Sequence, residues 1–338
     1  MNKILASFAF CLIILGASLI VLRVLTYDYP LAQPLNIVDT GKTWHALAVS
    51  EVRLAVYGAP YLGRTSTPKL IAMGASAVRE GIRPEDWENF EHTVEVHNLA
   101  IGALTPENMI QLWKHIEAAV PAPVAKKSII MIGVMYAMFN DSWPNLIQDE
   151  ESRLGPFFRV NVERWAGRDV FNGVKAAVLP LFAMDKIFRD DMELIAKPLD
   201  SFIHEHDYPV WVVSHDRALA AWAHLMGDKD ILPPDKVEKI LPLFKAIRNA
   251  GFKVVVVNMP LPSWHSERSP YDHQFQQIFL PRMQYLAKED DGIIFLDAHD
   301  FLPDNYFSDS SHPNREGARL LSQYLYEELF GFWLAKDS

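Results

Sequence analysis

The sequence predicts a doubly wound α/β fold, a parallel sheet with helices on both faces. Two observations carry that expectation. Five short, nearly continuous apolar runs recur between residues 66 and 335. The segments separating several of them have the caps and the apolar stripe of helices packed on a sheet. Strands alternating with helices form parallel sheets, and parallel strands covered on both faces lose the apolar–polar alternation of exposed ones.

The runs are "KLIAMG" (69–74), "TVEVHNLA" (93–100), "SIIMIGV" (128–134), "FKVVVVNM" (252–259) and "GIIFLDA" (292–298). Each is rich in β-branched or other apolar residues and is expected to be buried on both faces. Between them, "TPENMIQLWKHIEAAV" (105–120) opens on Thr105 as N-cap with Pro106 at the first helical position. "PPDKVEKILPLFKAIRNAG" (233–251) closes on Gly251, directly ahead of a strand. "NREGARLLSQYLYEELF" (314–330) lines up Ala318, Leu321, Tyr324, Leu325 and Leu329 along one stripe. Residues 140–232 break this rhythm. They are too long for a simple crossover, contain Trp143, Trp165, Trp211, Trp222 and Pro180, and predict a mostly helical insertion that caps the site.

Residues 4–22, "ILASFAFCLIILGASLIVL", hold no charge and approach the roughly 20 residues that span a bilayer. Lys3 precedes the run and Arg23 follows it. A signal peptide has a shorter apolar core and a small-x-small cleavage site, neither of which is evident, so an uncleaved anchor is expected. The organisation that follows is a transmembrane anchor over 1–27, a linker over 28–65 and a catalytic domain over 66–335. Orientation rests on the short N-terminus, which leaves the large domain on the exported side. The single cysteine, Cys11, lies in the anchor, so the exported part has no disulfide. The chain of 338 residues carries a formal net charge of −10 and no Lys/Arg runs, which argues against nucleic acid as a partner.

The chemistry-bearing residues lie near the ends of this pattern. Ser76 falls just past the first strand, where a doubly wound fold binds its ligands. A nucleophilic serine needs a base, and the base needs an orienting carboxylate. "NYFSDSSHPNREGARLL" supplies Asp309 and His312 on one loop before the last helix. A strand ending in Gly-x-Ser or an isolated D-x-x-H is weak alone. In this order and at these positions the two are much more specific.

These blocks, "MGASAVREGIRP" and "SDSSHPNREG", resemble those of the SGNH (GDSL-type) hydrolases. That resemblance spans roughly 66–330 without the insertion and implies a flavodoxin-like parallel sheet. Ser76 becomes the nucleophile, His312 the base and Asp309 its orienting partner. "HNLAIGALTPENM" matches the second block and makes Gly102 an oxyanion donor through its N–H. The third block departs from the family. Its Gly-x-Asn-Asp is replaced by "GVMYAMFND", which leaves Asn140, Tyr136 or no side chain as the third oxyanion donor. More narrowly, "GASAVREGIRP" followed by "NLAIGALTPENM" resembles a membrane-anchored branch that includes the D-alanyl transfer protein of teichoic acid modification and alginate and cellulose acetylation proteins.

The resemblance implies acyl transfer through a serine ester, on a cell-envelope or exopolysaccharide glycan at a bacterial plasma membrane. Beside it would stand a multi-pass membrane O-acyltransferase, and no cofactor is implied. A non-catalytic glycan-binding or scaffold subunit is the alternative. A flavodoxin-type nucleotide binder is disfavoured, because "GASAVREG" lacks the G-x-G-x-x-G spacing.

Weaker signals have plainer readings. His204, His206 and Asp207 have no identifiable further ligands and read as a surface loop rather than a metal site. Asp297, His299 and Asp300 form a rival acid–base group. Arg79 and Arg83 read as a solvated helix face, and Trp264 and His265 as local loop packing rather than a sugar-stacking pair.

Overall fold

The structure is a computed structural model and describes residues 55, 59–63, 65–87, 94–140, 147, 214–227, 231–232 and 234–334. The anchor, almost all of the linker and most of the insertion lie outside the described residues. So do His204, His206 and Asp207. Among the described residues no helix is long and apolar enough to cross a membrane.

In chain order the regular elements are β1 (Lys69–Met73), α1 (Ser76–Gly81), β2 (Glu95–Asn98), α2 (Pro106–Ala119), α3 (Ala122–Ala125) and β3 (Ile129–Val134). There follow α4 (His215–Leu225), α5 (Pro234–Asn249), β4 (Lys253–Asn258), α6 (Ser263–Ser266), α7 (Pro270–Glu289), β5 (Ile293–Asp297) and α8 (Arg315–Leu334). The five strands form one all-parallel sheet in the order β2-β1-β3-β4-β5, the flavodoxin-like arrangement. Its registers set Ile71 between His97 and Ile130, and Val256 between Ile132 and Phe295.

All five expected strands are present. β1 and β3 are buried along their whole length, as continuous apolar runs require. β5 departs from the expectation. It is the sheet edge, so Ile294 and Phe295 are only partly covered and Asp297 is exposed. The three expected helices also form. Thr105 Oγ1 accepts from the Asn108 N–H and caps α2, and Gly251 takes the left-handed φ of 98° that ends α5.

Helix α8 packs on α1, while α5 lies against both α2 and α7. Right-handed crossovers in this strand order place these two groups on opposite faces of the sheet. Trp113 of α2 meets Phe252 edge-on at 5.4 Å on one side of the core, and Phe279 of α7 meets Phe295 at 6.3 Å. Within the 140–232 segment, the described helix α4 buries none of its residues.

Candidate active site

Two glycines determine how β1 hands the chain to α1. A Cβ on Gly74 would lie 2.3 Å from Val78 Cγ2 and 2.8 Å from the carbonyl oxygen of Gly133. A Cβ on Gly133 would lie 2.1 Å from the same Val78 methyl. Val78 is therefore seated in the space of two missing side chains, and α1 starts at Ser76 immediately over the strand ends. Ala75 is extended and offers no side-chain cap, so the Ser76 N–H belongs to a first turn without an intrahelical acceptor.

The carbonyl end of this short helix is held by Asn98, a buried residue at the end of β2. Its Nδ2 donates to the carbonyls of Ile82 at 2.5 Å and of Val78 and Arg79 at 3.2 Å. Its Oδ1 accepts from the Ala100 N–H and turns the chain toward Gly102. The Ile101 N–H then donates to the Gly74 carbonyl at 3.0 Å, which ties the Gly102 turn to the strand end bearing Ser76. Ala103, in that turn, adopts φ 60°, a left-handed conformation that costs a residue with a Cβ about 1–2 kcal/mol.

The third component comes from the far end of the chain. Phe307 bridges Pro313, and the Ser308 N–H donates to the His312 carbonyl at 2.9 Å, closing a small loop. Asn314 Oδ1 accepts from the Gly317 N–H and caps the start of α8. Gly317 permits close approach here, since a Cβ would lie 2.4 Å from the Tyr306 carbonyl oxygen. Inside the loop Asp309 Oδ1 accepts from the N–H groups of Ser311 and His312 at 2.8 and 2.9 Å.

These pieces bring Ser76, His312 and Asp309 into one hydrogen-bonded series. His312 Nε2 lies 2.8 Å from Ser76 Oγ, and His312 Nδ1 lies 2.6 Å from Asp309 Oδ2. A carboxylate only accepts, so Nδ1 carries the proton and Nε2 faces the serine hydroxyl as acceptor. Burial works against ionisation of Asp309. The hydrogen bond and charge of His312, followed by the Ser311 and His312 N–H groups, outweigh it and hold the carboxyl below its ordinary range. The His312 and Asp309 side chains keep 24% and 28% exposure, so a substrate can reach the pair. An imidazole held between an ionised carboxylate and a hydroxyl can take the hydroxyl proton and return it to a leaving group.

The two candidates for the third oxyanion donor are engaged elsewhere. Asn140 is buried, and its Nδ2 donates to the Ala137 carbonyl at 2.6 Å. Tyr136, also buried, places its hydroxyl 2.7 Å from His265 Nε2. Burial, the main influence on the phenol, raises its pKa, so it stays protonated.

The rival group around His299 sits apart from the series. His299 Nε2 pairs with the buried Asp272 at 2.9 Å and Nδ1 with Asp300 at 2.6 Å. Burial opposes protonation there, but Asp272 and then Asp300 prevail and push the imidazole up to about 9. It is thus a cation at neutral pH, unsuited to act as a base. It lines a cleft of about 1290 Å³ after β4 and β5, shared with Gln276, Phe301 and Tyr324, which none of Ser76, Asp309 and His312 lines.

Arg83 differs from the solvated face expected of it. It is buried, and its Nε donates to the Glu80 carbonyl, while Arg79 pairs with the Glu80 carboxylate at 2.7 Å. Trp264 stacks on His215 of α4 at 3.9 Å, as loop packing predicts. Sequence reasoning did not single out Asn98, Ser310 or a role for Trp222. A buried Asn at the carboxyl end of a strand run that also holds Glu95 and His97 left little signal for the first.

No protein-family model matches the chain, and no curated protein matches it.

Proposed function

We propose that the chain is a serine acyl-transfer enzyme of SGNH type, acting on the O-acyl groups of a cell-envelope or exopolysaccharide glycan. The observation that carries this reading is the series Ser76 Oγ–His312 Nε2 at 2.8 Å and His312 Nδ1–Asp309 Oδ2 at 2.6 Å. It is supported by the position of Ser76 beyond the carboxyl end of a central parallel strand and by the resemblance of the flanking sequence blocks to that superfamily.

In the first half-reaction Ser76 Oγ attacks the acyl carbonyl carbon as its proton passes to His312 Nε2. Asp309 stabilises the imidazolium that forms. The N–H groups of Ser76 and Gly102 receive the oxyanion. The tetrahedral intermediate collapses, and the leaving group takes the proton from His312. In the second half-reaction a sugar hydroxyl or water gives its proton to His312 and attacks the acyl-serine, which regenerates Ser76. The uncharged segment at 4–22 favours transfer at the exported side of a membrane, beside a multi-pass O-acyltransferase that supplies the acyl group.

A second reading, a non-catalytic glycan-binding or scaffold subunit of the same system, draws on one observation. Both side chains considered for the third oxyanion donor point their donors at other partners. Losing one such donor costs about 3 kcal/mol of transition-state stabilisation.

A fluorophosphonate probe decides between them. The enzyme reading expects labelling of the wild type that disappears in Ser76→Ala. A folded wild type that resists the probe would falsify it. Surface-polysaccharide O-acyl content, measured in cells carrying wild type or Ser76→Ala, then tests transfer. Equal content in the two rules transfer out.

A further inference from the structure

Tyr136 and His265 are buried, and neither belongs to the hydrogen-bonded series at Ser76. Tyr136 follows β3, with its ring stacked on Tyr271 at 6.2 Å and edge-on to Trp222 at 6.0 Å. His265 lies on α6, after β4. Its Nδ1 is 2.5 Å from the Ser310 carbonyl oxygen and its Nε2 is 2.7 Å from the Tyr136 hydroxyl. A carbonyl only accepts, so Nδ1 bears the proton and Nε2 accepts from the tyrosine. The chain therefore runs one way, from Tyr136 O–H through the imidazole to the main chain of Ser310.

Ser310 occupies the middle of the loop that carries Asp309 and His312. Its hydroxyl is held as well, accepting from Trp222 Nε1 of α4 at 2.8 Å. Two segments distant in sequence thus meet at Ser310, and Tyr136 reaches it through His265, on the loop whose His312 pairs with Ser76. Burial keeps the polarity of the chain stable by raising the Tyr136 pKa. It also outweighs the Ser310 carbonyl and the charges of Asp272 and Asp309 to lower that of His265.

We propose that Tyr136 and His265 are positioning residues that fix the 309–312 loop through the Ser310 carbonyl, so that His312 stands within hydrogen-bonding reach of Ser76. The catalytic part of this role rests on the serine acyl-transfer reading, while the loop-fixing part does not. In this arrangement the sequence at the end of β3 supports the base from behind. It replaces a side chain turned to the substrate with one turned to the loop.

The test uses the full chain with Tyr136→Phe, which keeps the ring and removes one hydroxyl. His265→Leu removes the donor to Ser310, and His265→Gln retains a side-chain N–H. Two readouts are taken on each. Hydrogen exchange is followed at the Ser308, Ser311 and His312 amides, and turnover of p-nitrophenyl acetate is split into kcat and KM. Tyr136→Phe and His265→Leu are expected to speed loop exchange about tenfold, the scale of one lost hydrogen bond. They should lower kcat about tenfold to a hundredfold with KM nearly unchanged, as small displacements of a reacting group do. His265→Gln should recover part of both losses.

Loop exchange identical to wild type in Tyr136→Phe would overturn the proposal, and so would faster exchange with unaltered kcat. If the wild type has no Ser76-dependent esterase activity and the variants still loosen the loop, the acyl-transfer reading falls and the loop-fixing role stands. Should His265→Leu fail to fold, Tyr136→Phe decides alone.

Discussion

Gly133→Ala offers the sharpest check on how the fold places Ser76. An alanine Cβ would sit 2.1 Å from Val78 Cγ2 and 2.8 Å from Met259 Sδ. Apolar carbons rest about 3.5–4.0 Å apart, so Val78 would have to retreat by roughly 1.4 Å. Rotation about χ1 gives no escape. A helical valine has one strongly preferred rotamer, and Gly74 already leaves its own gap for this same methyl. The strain passes to α1, whose first residue is Ser76.

Overpacking of this kind costs about 1–3 kcal/mol of stability, and a displacement near 1 Å costs about a hundredfold in rate. The assay is the second-order rate of fluorophosphonate labelling, with denaturant unfolding run in parallel. Val78→Ala placed in the Gly133→Ala chain removes the clashing methyl, so the pair should label at least about tenfold faster than Gly133→Ala alone. Such coupling is expected only between contacting residues. A Gly133→Ala protein that folds and labels at the wild-type rate would refute the claim that this contact positions the serine.

Three further outcomes follow from the same geometry. Asp309→Asn should slow labelling by on the order of 10⁴-fold with little change in melting temperature, because the amide turns its N–H toward His312 and favours the wrong tautomer. Its Oδ1 can still accept from Ser311 and His312. Asn98→Ala removes the side-chain donor to the Ile82, Val78 and Arg79 carbonyls, of which Val78 keeps the Ile82 N–H, and should lower unfolding free energy by about 1–3 kcal/mol, read from denaturant midpoints. For His299 the folded pKa, about 9, lies above the ordinary 6.5, so its pairing stabilises fully below 6.5 and that stability is lost as pH rises through 9. Linkage caps the effect near about 3 kcal/mol, and solvent reaching the imidazole reduces it to about 1–2. A His299→Gln chain should show a flatter stability profile between those pH values, and an unchanged slope would show that Asp272 and Asp300 do not govern it.

The strands were legible because a parallel sheet demands apolar residues at consecutive positions. "KVVVVN" and "IIMIGV" satisfy that demand so completely that no other element suits them. That Ser76, Asp309 and His312 meet in one hydrogen-bonded series was legible because chain order puts a serine after one strand and a carboxylate beside an imidazole before a helix. Helix α7 was harder to read. "PYDHQFQQIFLPRMQYLAKE" mixes polar residues into its stripe and carries Pro281 inside, so its helical character depends on Tyr271, Phe275, Phe279 and Met283 packing on the sheet. The burial of Arg83 was hidden for a related reason. A guanidinium reads as surface until a carbonyl such as that of Glu80 is seen to receive it.

Tyr136 shows where linear reading ends. The resemblance of the sequence blocks directs attention to whichever polar atom follows β3, and the Tyr136 hydroxyl does lie there. What the spacing does not encode is direction. Tyr136 meets a histidine 129 positions later, and that histidine meets Ser310 another 45 positions on. Only the sheet order, which sets β3 beside β4, makes those contacts adjacent. On the proposed acyl-transfer reading, the oxyanion is left to two backbone N–H groups, and the proposed role of Tyr136 and His265 is to hold the 309–312 loop behind the base. A donor aimed at the transition state and a support that preorganises the base both lower the same barrier. Removing the Tyr136 hydroxyl should therefore affect kcat even though it faces His265 rather than the substrate.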